Sequence, residues 1–453
     1  MTSPSSPTQP EHGANPSAPG ARKAPASAAR STAVVVGGNR IPFAKANGAY
    51  AHASSHDLLT AALDGLVARF GLAGQTLGEV AGGAVLKHTR DFNLTREAVL
   101  SSALAPQTPA VDLGQACGTS LETVVYIANK ITLGQLDVGI AGGADSASDA
   151  PIAVSEPLRR ALLAANAART LPARLKAFSS LRPGHFAPST PQVVEPRTGL
   201  SMGEHQALTT ARWGISREAQ DELAAASHHN LARAWEEGFF DDLVTPYLGL
   251  TRDAPLRPDT SVEKLAALKP VFGLSGSVPA TMTAGNSTPL SDGAAVVLLA
   301  DADYAAAHHL PMLAKVVDAE VAAVDYPGGD DLLLAPVAAV GRLLARQRLG
   351  LADFDLYEVH EAFAATVLAT LAAWESDEYC RHIGLAGALG PIDRTKLNVT
   401  GSSLAAGHPF AATGARIVPT LATLLAAKGP GARGLISICA AGGQGVAAIL
   451  EAI

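Results

Sequence analysis

Apolar residues along the chain form short unbroken runs that alternate with stretches of helical spacing. The first third predicts four buried strands, each bounded by glycine or proline, at residues 32–38, 80–85, 109–113 and 138–141. Residues 56–66 instead repeat leucine and alanine every three or four positions, and residues 120–133 follow the same spacing. Strands alternating with helices predict an α/β layered fold.

The last part of the chain repeats this pattern. It predicts strands at 313–317, 356–359 and 434–439 and helices at 336–346 and 412–427. Each half also closes with a strand followed by a glycine pair, at 142–143 in the first half and at 442–443 in the second. We therefore predict an internal duplication, in which Cys117 and Cys439 stand in different repeat contexts.

The pattern changes between the two halves, where residues 151–290 predict an inserted and mostly helical lobe that includes a long helix at 216–237. The predicted organisation is a disordered tail at 1–31, an N-terminal half at 32–150, the loop domain at 151–290 and a C-terminal half at 291–453. Within the inserted lobe, residues 157–183 carry six basic side chains and no acid. Such a segment is most often a solvated face, and the alternatives are a docking surface or attraction for an anionic ligand.

Composition narrows the class of protein. With 48% hydrophobic and 17% charged residues, the chain has the composition of a globular enzyme, and its net charge of -7 argues weakly against a nucleic-acid binder. Three cysteines without regular spacing do not form a disulfide framework, so we expect a reducing, cytoplasmic location. Residues 1–31, rich in Pro, Ser and Ala, favour a disordered extension, although their basic residues loosely resemble a transit peptide.

Two cysteines carry the candidate chemistry. Cys117 and Cys439 each follow a predicted buried strand and precede small residues and glycine, a turn that lets backbone N–H groups point at a ligand. Cys117 stands where a strand gives way to a helix, so we expect a lowered thiol pKa and a nucleophilic thiolate; a small buried core thiol is the alternative. With His408 between them on a third tight turn, the two thiols suggest acyl transfer through a thioester.

Several motifs in one fixed order resemble those of thiolases. They are QACGTS at 115–120, MG at 202–203 with ISREAQD at 215–221, TAGNSTPLSDGAA at 283–295, HEAF at 360–363, GHP at 407–409 and CAAGG at 439–443. The resemblance covers residues 33–453. It implies a duplicated thiolase fold, two similar α/β halves layered αβαβα, with an inserted and mostly helical loop domain.

The resemblance also implies residue roles. Cys117 would be the acylated nucleophile, His408 would take its proton, and Cys439 would move a proton to or from the α-carbon of the acetyl unit. His408 with His360, through a water, would form one oxyanion hole, and the backbone N–H groups of Cys117 and Ala441 would form the other.

The expected ligands are acyl-CoA and coenzyme A, the latter a substrate, with no cofactor and no metal. The substrate-binding and coenzyme A-binding residues implied by the motifs are Met202, Ala284, Gly285, Asn286, Thr288 and Phe363. Cys380 falls in no motif and is expected to be structural. The adjacent pairs His228-His229 and His308-His309 lack the i, i+4 spacing of helical metal ligands.

Two departures from the common thiolase pattern point to a subgroup. His360 replaces the Asn of many thiolases and Ala441 replaces a Gly, and the latter change is harmless unless the turn demands a positive φ. With residues 91–96 (DFNLTR) and 409–414 (PFAATG), they resemble the thiolase subunit of fatty-acid β-oxidation trifunctional complexes. The expected activity is thus 3-ketoacyl-CoA thiolase, cleaving 3-ketoacyl-CoA with coenzyme A to acetyl-CoA and a shortened acyl-CoA.

Other readings stay open at this point. A biosynthetic acetoacetyl-CoA thiolase would use the same residues in reverse, a decarboxylating ketoacyl synthase would not need Cys439, and a non-catalytic CoA-binding or lipid-binding protein would not need intact Cys117 and His408. The expected assembly is a homodimer or homotetramer. A hydratase/dehydrogenase subunit and a membrane surface are the candidate partners of the basic segment, and coenzyme A phosphates are its alternative ligand.

Overall fold

The computed structural model describes residues 31–191 and 194–453. The predicted disordered tail, apart from Ser31, therefore lies outside the described residues. The first part of the chain alternates strands with helices: β1 (Ala33–Arg40), β2 (Ala44–Lys45), α1 (Ser55–Phe70), β3 (Glu79–Gly82), α2 (Leu94–Ser101), β4 (Ala110–Asp112), α3 (Thr119–Thr132) and β5 (Val138–Ser146).

The middle of the chain is mostly helical, as predicted. Its elements are β6 (Ala153–Val154), α4 (Glu156–Ala167), α5 (Leu171–Ala177), β7 (Pro188–Ser189), α6 (Met202–Arg212), α7 (Arg217–Glu236) and α8 (Val262–Ala266). The long helix α7 is capped at its N-terminus by Ser216, whose hydroxyl accepts a hydrogen bond from the Ala219 N–H. That contact satisfies one of the free N–H groups of the first turn.

The remaining elements return to alternating strands and helices. They are β8 (Ser291–Asp301), α9 (Ala302–Ala307), β9 (Ala314–Ala323), α10 (Ala335–Gln347), β10 (Leu356–Val359), α11 (Ala364–Glu375), α12 (Asp377–His382), α13 (Ser403–Ala406), α14 (Thr413–Lys428), β11 (Arg433–Ala440) and β12 (Gln444–Ala452). Short 3₁₀ turns lie between them at Thr89–Asp91, Ala116–Gly118, Pro183–Phe186, Tyr326–Gly328, Leu332–Leu334, Leu351–Asp353, Arg394–Lys396 and Phe410–Ala412.

The sheet confirms the predicted duplication, strand by strand. In the first half the order is β1-β8-β5-β3-β4, with two antiparallel pairings followed by two parallel ones. The second half repeats it as β9-β12-β11-β10, and a parallel bridge from Tyr357 to Leu397 stands where β4 stands in the first half. The halves join at the β1–β9 edge through the residue pairs Val34–Lys315 and Val35–Ala314.

Helices and sheets stack in the order αβαβα. Helices α1 and α2 cover the outer face of the first sheet, α10 and α11 cover the outer face of the second, and α3 and α14 lie between the sheets. Both faces of each sheet are therefore buried, and alternate residues serve different layers. Along β8, Ala295, Val297 and Leu299 join the central cluster, whereas Val296 and Leu298 join the outer one.

Two sequence-based boundaries are wrong. Strand β8 pairs with β1 and β5, in a register from Val138–Ala300 to Ser146–Asp292, so residues 291–301 belong to the N-terminal half rather than the C-terminal half. Strand β5 also does not end at its glycine pair but continues to Ser146. Gly143 therefore lies inside the strand. A glycine is required at this position because a Cβ would lie 2.3 Å from the Ala411 carbonyl oxygen.

The segment Phe410–Lys428 is long and apolar enough to span a membrane by length and composition, with a mean hydropathy of 1.4. It contains α14, which lies in the central layer, and 72% of it is buried inside the fold. Its apolar character is therefore explained by its place between the two sheets.

Candidate active site

Cys117, His408 and Cys439 meet in one cavity of about 270 Å³ between the two halves and the inserted lobe, and His360 lies behind its wall. Its walls are largely apolar and are formed by Cys117, Ser201, Met202, Gly203, Phe272, Thr288, Leu290, Leu333, Ala362, Phe363, His408, Phe410, Cys439 and Ala441. The same cavity is thus lined by the two candidate thiols, Cys117 and Cys439, by His408 and by the turn at Ala441. A larger depression of about 570 Å³ beside Ser216 and Arg394 is surface-exposed and holds none of these groups.

Cys117 stands on a strained turn. The preceding Ala116 has a φ of 46°, a left-handed backbone conformation that residues other than glycine rarely adopt. The 3₁₀ turn Ala116–Gly118 leads directly into α3. The Thr119 hydroxyl stabilises the turn, since it accepts from the Gln115 N–H at 2.8 Å and donates to the Ala116 carbonyl at 2.8 Å. The turn presents the half-buried thiol to the cavity.

His408 stands in the corresponding loop of the second half, ahead of the 3₁₀ turn Phe410–Ala412 that leads into α14. Its N–H donates to Ser291 Oγ at 3.2 Å, and its ring Nδ1 lies 2.5 Å from Thr413 Oγ1. The preceding Gly407 has a φ of 100°, which favours glycine at this position. One turn of the backbone therefore aims the ring at the cavity, as the GHP motif predicted.

The first turns of α3 and α14 contact each other across the centre of the molecule. Ser120 Oγ accepts a hydrogen bond from the Ala415 N–H at 2.9 Å. A Cβ on Gly414 would lie 2.2 Å from the Leu121 backbone nitrogen, so a glycine is required there. This backbone contact is what brings Cys117 and His408 together.

Cys439 ends β11 and is followed by a tight turn. Gly442 and Gly443 have φ values of 79° and 68°, whereas Ala441 is not among the residues with positive φ, so alanine is tolerated there without strain. The Ala441 N–H hydrogen-bonds the Cys117 sulfur. The Gly442 N–H donates to Glu195 Oε1 at 2.6 Å, which ties the turn to the inserted lobe.

His360 lies directly behind His408. The two ring centroids are 4.2 Å apart, and a ring nitrogen of each lies within 4.8 Å of the other and of Cys117 Sγ. His360 Nδ1 is 2.8 Å from Ser403 Oγ. Both Nε2 atoms are buried and lack a hydrogen-bond partner in the described ranges, so they are available to a ligand.

The expected lowering of the Cys117 pKa is wrong. Burial raises the pKa of this thiol to about 12, and the N–H groups of Ala441 and of Cys117 itself offset only part of that effect. Burial, with the nearby Arg416 cation, lowers the pKa of His408 to about 3. At neutral pH the resting site therefore holds a neutral thiol beside a neutral imidazole rather than an ion pair, and the proton must move during the reaction.

Burial also shifts the pKa values of Cys439 and His360 in the direction that favours their neutral forms. Burial, and to a lesser degree the neighbouring Cys117, raises the pKa of the Cys439 thiol. Burial, His408 and Arg416 hold the pKa of His360 well below its usual range. All four side chains are thus neutral in the resting site at neutral pH.

The predicted ligand-binding residues divide into two groups. Met202, Thr288 and Phe363 line the cavity. Ala284, Gly285 and Asn286 do not line it: Asn286 is buried, where its Oδ1 accepts from the Thr283 N–H at 2.7 Å and its Nδ2 donates to Asp221 at 2.9 Å. Asn286 thus shapes the loop that carries Thr288, and the binding of substrate or coenzyme A by Ala284, Gly285 and Asn286 stays a prediction.

Cys117, His360 and His408 converge closely enough to be considered as metal ligands. Arg416 lies near both histidines, and its positive charge lowers their pKa values and opposes a second cation. The absence of a resident metal stays a prediction. Cys380, by contrast, is fully buried away from the cavity, and its thiol donates to the Ala373 carbonyl.

Sequence reasoning missed several residues that support the site. Asp145, at the end of β5, accepts the Ala411 N–H at 2.8 Å and so holds the loop after His408. Glu195, Ser403 and Arg416 support the Ala441 turn and His360. None of these four residues lies in a spacing pattern that indicates its partner, because each contact joins distant parts of the chain.

Comparison with known proteins agrees with this geometry. The family model for the thiolase N-terminal domain matches residues 33–303, and the model for the thiolase C-terminal domain matches residues 310–452. A 3-ketoacyl-CoA thiolase of Yersinia pestis is 41% identical over 426 residues, which cover 92% of this chain and 96% of that protein.

Solved structures have the same fold. An acetyl-CoA acetyltransferase of Bacillus anthracis superposes with a TM-score of 0.77 at 29% identity, covering 94% of this chain and 100% of that one. Human mitochondrial 3-ketoacyl-CoA thiolase in complex with CoA superposes with a TM-score of 0.76 at 27% identity, covering 93% of this chain and 98% of that one. With its duplicated fold, its cavity and both family models matched over nearly all of the described chain, this chain belongs to the thiolase family.

Proposed function

We propose that this chain is a 3-ketoacyl-CoA thiolase, an acyltransferase that cleaves 3-ketoacyl-CoA with coenzyme A to acetyl-CoA and a shortened acyl-CoA. The observation that carries the proposal is the grouping of Cys117 Sγ with ring nitrogens of His360 and His408 within 4.8 Å, in the same cavity as Cys439. The Yersinia pestis relative, 41% identical, has this activity in its name.

The first half-reaction begins when the Cys117 sulfur attacks the 3-keto carbon and its proton moves to His408. The bond between C2 and C3 then breaks, which leaves the acyl group on Cys117 and an acetyl-CoA enolate. Cys439 donates its proton to the enolate carbon and becomes a thiolate. Because Cys117 and His408 are neutral at rest, the transfer of the proton accompanies the attack.

The second half-reaction restores the site. The Cys439 thiolate takes the proton of the incoming coenzyme A thiol, the coenzyme A sulfur attacks the acyl carbon, and the shortened acyl-CoA leaves. His408 returns its proton to the Cys117 sulfur. Every proton is thus accounted for by the two thiols and one imidazole, and no redox step is involved.

Two sets of donors match the charge that develops. The backbone N–H groups of Cys117 and Ala441 already face the Cys117 sulfur, beside which the oxygen of the tetrahedral intermediate forms. The free Nε2 atoms of His360 and of protonated His408 are suited to the enolate oxygen. A donor aimed at developing charge in a dry site stabilises the transition state by about 2.7–4 kcal/mol.

The acyl chain would lie against Met202, Phe272, Leu333, Phe363 and Phe410, which make the cavity largely apolar. The biosynthetic alternative, an acetoacetyl-CoA thiolase running in reverse, uses the same residues. Its support is the likeness to the Bacillus anthracis acetyl-CoA acetyltransferase, whose TM-score is nearly equal to that of the human thiolase. The resemblance of His360 and Ala441 to the trifunctional-complex subunit favours the degradative role in β-oxidation.

The partners we propose are further copies of this chain, which would form a homodimer or homotetramer, a hydratase/dehydrogenase subunit and an anionic membrane surface. The proposed location is the cytoplasm.

The membrane proposal rests on the helical hairpin α4–α5. Its exposed apolar side chains, interspersed with Arg169, Arg174 and Lys176, are Leu162, Leu163, Leu171, Leu175 and Phe178. Apolar and basic residues together are typical of helices that lie on anionic lipid.

Two of the six basic residues in the segment 157–183 form ion pairs with an acid outside it. Arg159 and Arg160 both pair with Glu156, which lies just before the acid-free segment, at 2.6 and 2.8 Å. These exposed ion pairs reduce the local charge available to a membrane. Arg169, Arg174 and Lys176 are therefore the residues that a test should reverse.

One experiment tests the activity directly. The purified protein is incubated with 3-ketoacyl-CoA substrates of short, medium and long chain plus coenzyme A, and the acyl-enzyme is trapped and mapped. Thiolysis with the acyl group on Cys117 supports the proposal, and the rate series assigns the chain length. Condensation of acetyl-CoA without measurable thiolysis of any longer substrate would favour the biosynthetic alternative, and no acyl-enzyme at all would favour a silent CoA-binding protein.

A further inference from the structure

The two buried histidines of the site have different surroundings at Nδ1. His360 and His408 are 1% and 5% exposed, their rings are 4.2 Å apart, and both have a free Nε2. A neutral imidazole carries one hydrogen, so the partner at Nδ1 decides whether Nε2 donates or accepts. The contacts at the two Nδ1 atoms therefore determine what each ring offers the substrate.

Ser403 constrains His360. Arg416 Nη2 donates to Ser403 Oγ at 3.3 Å and to Ser402 Oγ at 2.8 Å. A guanidinium can only donate, so the Ser403 oxygen is the acceptor in that contact. Within the described residues the Ser403 hydroxyl has one other hydrogen-bond neighbour, His360 Nδ1 at 2.8 Å, and its own proton is directed there. An Nδ1 that accepts requires the ring hydrogen to be on Nε2.

His408 has no such constraint. Its Nδ1 lies 2.5 Å from Thr413 Oγ1, and within residues 31–191 and 194–453 no cation donates to that hydroxyl. A hydroxyl can donate or accept, so Thr413 supports either tautomer. A residue that takes a proton and later returns it needs this freedom, whereas a fixed donor does not.

We propose that Ser403, oriented by Arg416, is a positioning residue that holds His360 in the Nε2–H tautomer as a permanent hydrogen-bond donor to the substrate oxygen, while His408 stays free to exchange its proton. This inference rests on the proposed thiolase reaction. Arg416 is itself buried; burial lowers its pKa, Glu358 and Glu361 offset part of that effect, and a guanidinium stays protonated at neutral pH. Glu361 is in turn held by Ser227, Asn398 and the Leu404 N–H.

The test uses three variants of the full-length protein. Ser403→Ala removes the hydroxyl that faces His360, Ser403→Thr keeps a hydroxyl there, and Ser402→Ala removes the shorter Arg416 contact but leaves the Ser403–His360 contact intact. Selective ¹⁵N-histidine NMR reports the tautomer, with His360 assigned by its loss in His360→Asn. Steady-state thiolysis of a short substrate and thermal melting are measured on the same samples.

We expect the His360 signal of wild type, Ser403→Thr and Ser402→Ala to show Nε2–H. In Ser403→Ala an Nδ1–H population should appear, and kcat should fall about 10-fold with little change in KM, less than the 10²–10³-fold loss when a donor is removed outright. A pure Nε2–H tautomer in Ser403→Ala with kcat within about twofold of wild type would overturn the proposal. So would an equal loss of kcat in Ser402→Ala while His360 stays wholly in the Nε2–H form, because the loss would then not follow the tautomer of His360.

The two proposals fail separately. If wild type shows no acyl-enzyme on Cys117, the thiolase function is wrong, whatever the tautomer of His360. If the acyl-enzyme forms normally but the tautomer does not respond to Ser403→Ala, the function stands and the positioning role is wrong.

Discussion

Cys117 and His408 occupy corresponding places in the two halves. Each precedes a helix of the central layer, α3 or α14, and each of those helices leads into the strand, β5 or β11, that ends beside the site. The ends of these strands correspond as well: Asp145 pairs with Gly293 of β8, and Cys439 pairs with Gly445 of β12. One half thus supplies the proposed nucleophile and a carboxylate that binds loop N–H groups, and the other supplies the proposed base and a second thiol.

The difference lies in side chains rather than in backbone path. In the first half Asp145 accepts the N–H groups of Val85, Leu86 and Ala411, so the strand end is used to hold loops together. In the second half the same position carries a thiol that lines the cavity. The comparison shows that one scaffold gives two similar sets of positions, and that the chemistry comes from filling them differently.

Removing the side chain of Cys117 and removing that of His408 should have unequal effects on acyl transfer. Cys117→Ala should abolish acyl transfer, a loss of at least about 10⁴-fold, because no other group forms the covalent intermediate. His408→Ala should slow acylation by about 10²–10⁴-fold and leave slow acylation of Cys117 detectable. Intact-mass measurement after incubation with acetyl-CoA separates the two. A stable acetyl adduct on Cys380 in either variant would contradict the assignment.

Cys439→Ser tests the other strand end. The acetyl-enzyme should still form, since Cys117 and His408 remain. Exchange of the acetyl α-protons with deuterated water should fall by at least about 100-fold, because a serine hydroxyl is a far weaker acid and base than the thiol. Mass spectrometry follows the enzyme and NMR follows the exchange. Exchange at the wild-type rate would mean that another group moves this proton.

Gly414→Ala tests the contact between the two central helices. The added Cβ would lie 2.2 Å from the Leu121 nitrogen, so we expect the free energy of unfolding to fall by about 3 kcal/mol and the acylation rate to fall with it. The matched control is Gly350→Ala, whose nearest heavy atom would be 3.8 Å away, and it should change little. Thermal melting and acylation rates are compared. Equal effects of the two variants would show that the helix contact does not align the site.

The pH dependence of the acylation rate tests the protonation states of Cys117 and His408. A His408 pKa lowered to about 3 means that the base stays neutral as pH falls through 6.5, the ordinary value. The Cys117 pKa of about 12 keeps the thiol protonated up to high pH. The acylation rate should therefore be nearly flat from about pH 6 to pH 9. An acid limb near pH 6.5, with the fold intact by circular dichroism, would show that His408 titrates normally.

The smallest effect is expected at the hairpin of the inserted lobe, which has no counterpart in the second half. Reversing Arg169, Arg174 and Lys176 to Glu should leave thiolysis of a short substrate unchanged and weaken binding to vesicles containing anionic lipid, by about 1 kcal/mol per charge. The control reverses Arg159 and Arg160, which Glu156 already pairs. An increase in KM for coenzyme A with vesicle binding unchanged would assign the segment to the substrate's phosphates.

The sequence predicted the layered fold and most of the groups in the cavity because their signals are local. Apolar runs and helical spacing mark the elements, and the glycine-rich turns mark Cys117, His408 and Cys439. The assignment of β8 to the N-terminal half could not be predicted from local signals, because its pairing with β1 and β5 joins residues about 150–270 positions apart. The predicted direction of the Cys117 pKa shift was also wrong, because desolvation depends on what covers the thiol and not on its neighbours in sequence.

The backbone contact at Gly414 has a consequence for how such a molecule could arise. Two identical half-molecules that met through this contact would place the same side chain at both helix starts, so a cysteine would always face a cysteine. Joining the halves into one chain removes that restriction, because each start is then encoded separately. The asymmetry of the proposed nucleophile and base thus requires two halves of different sequence, and neither half alone would be expected to turn over a substrate.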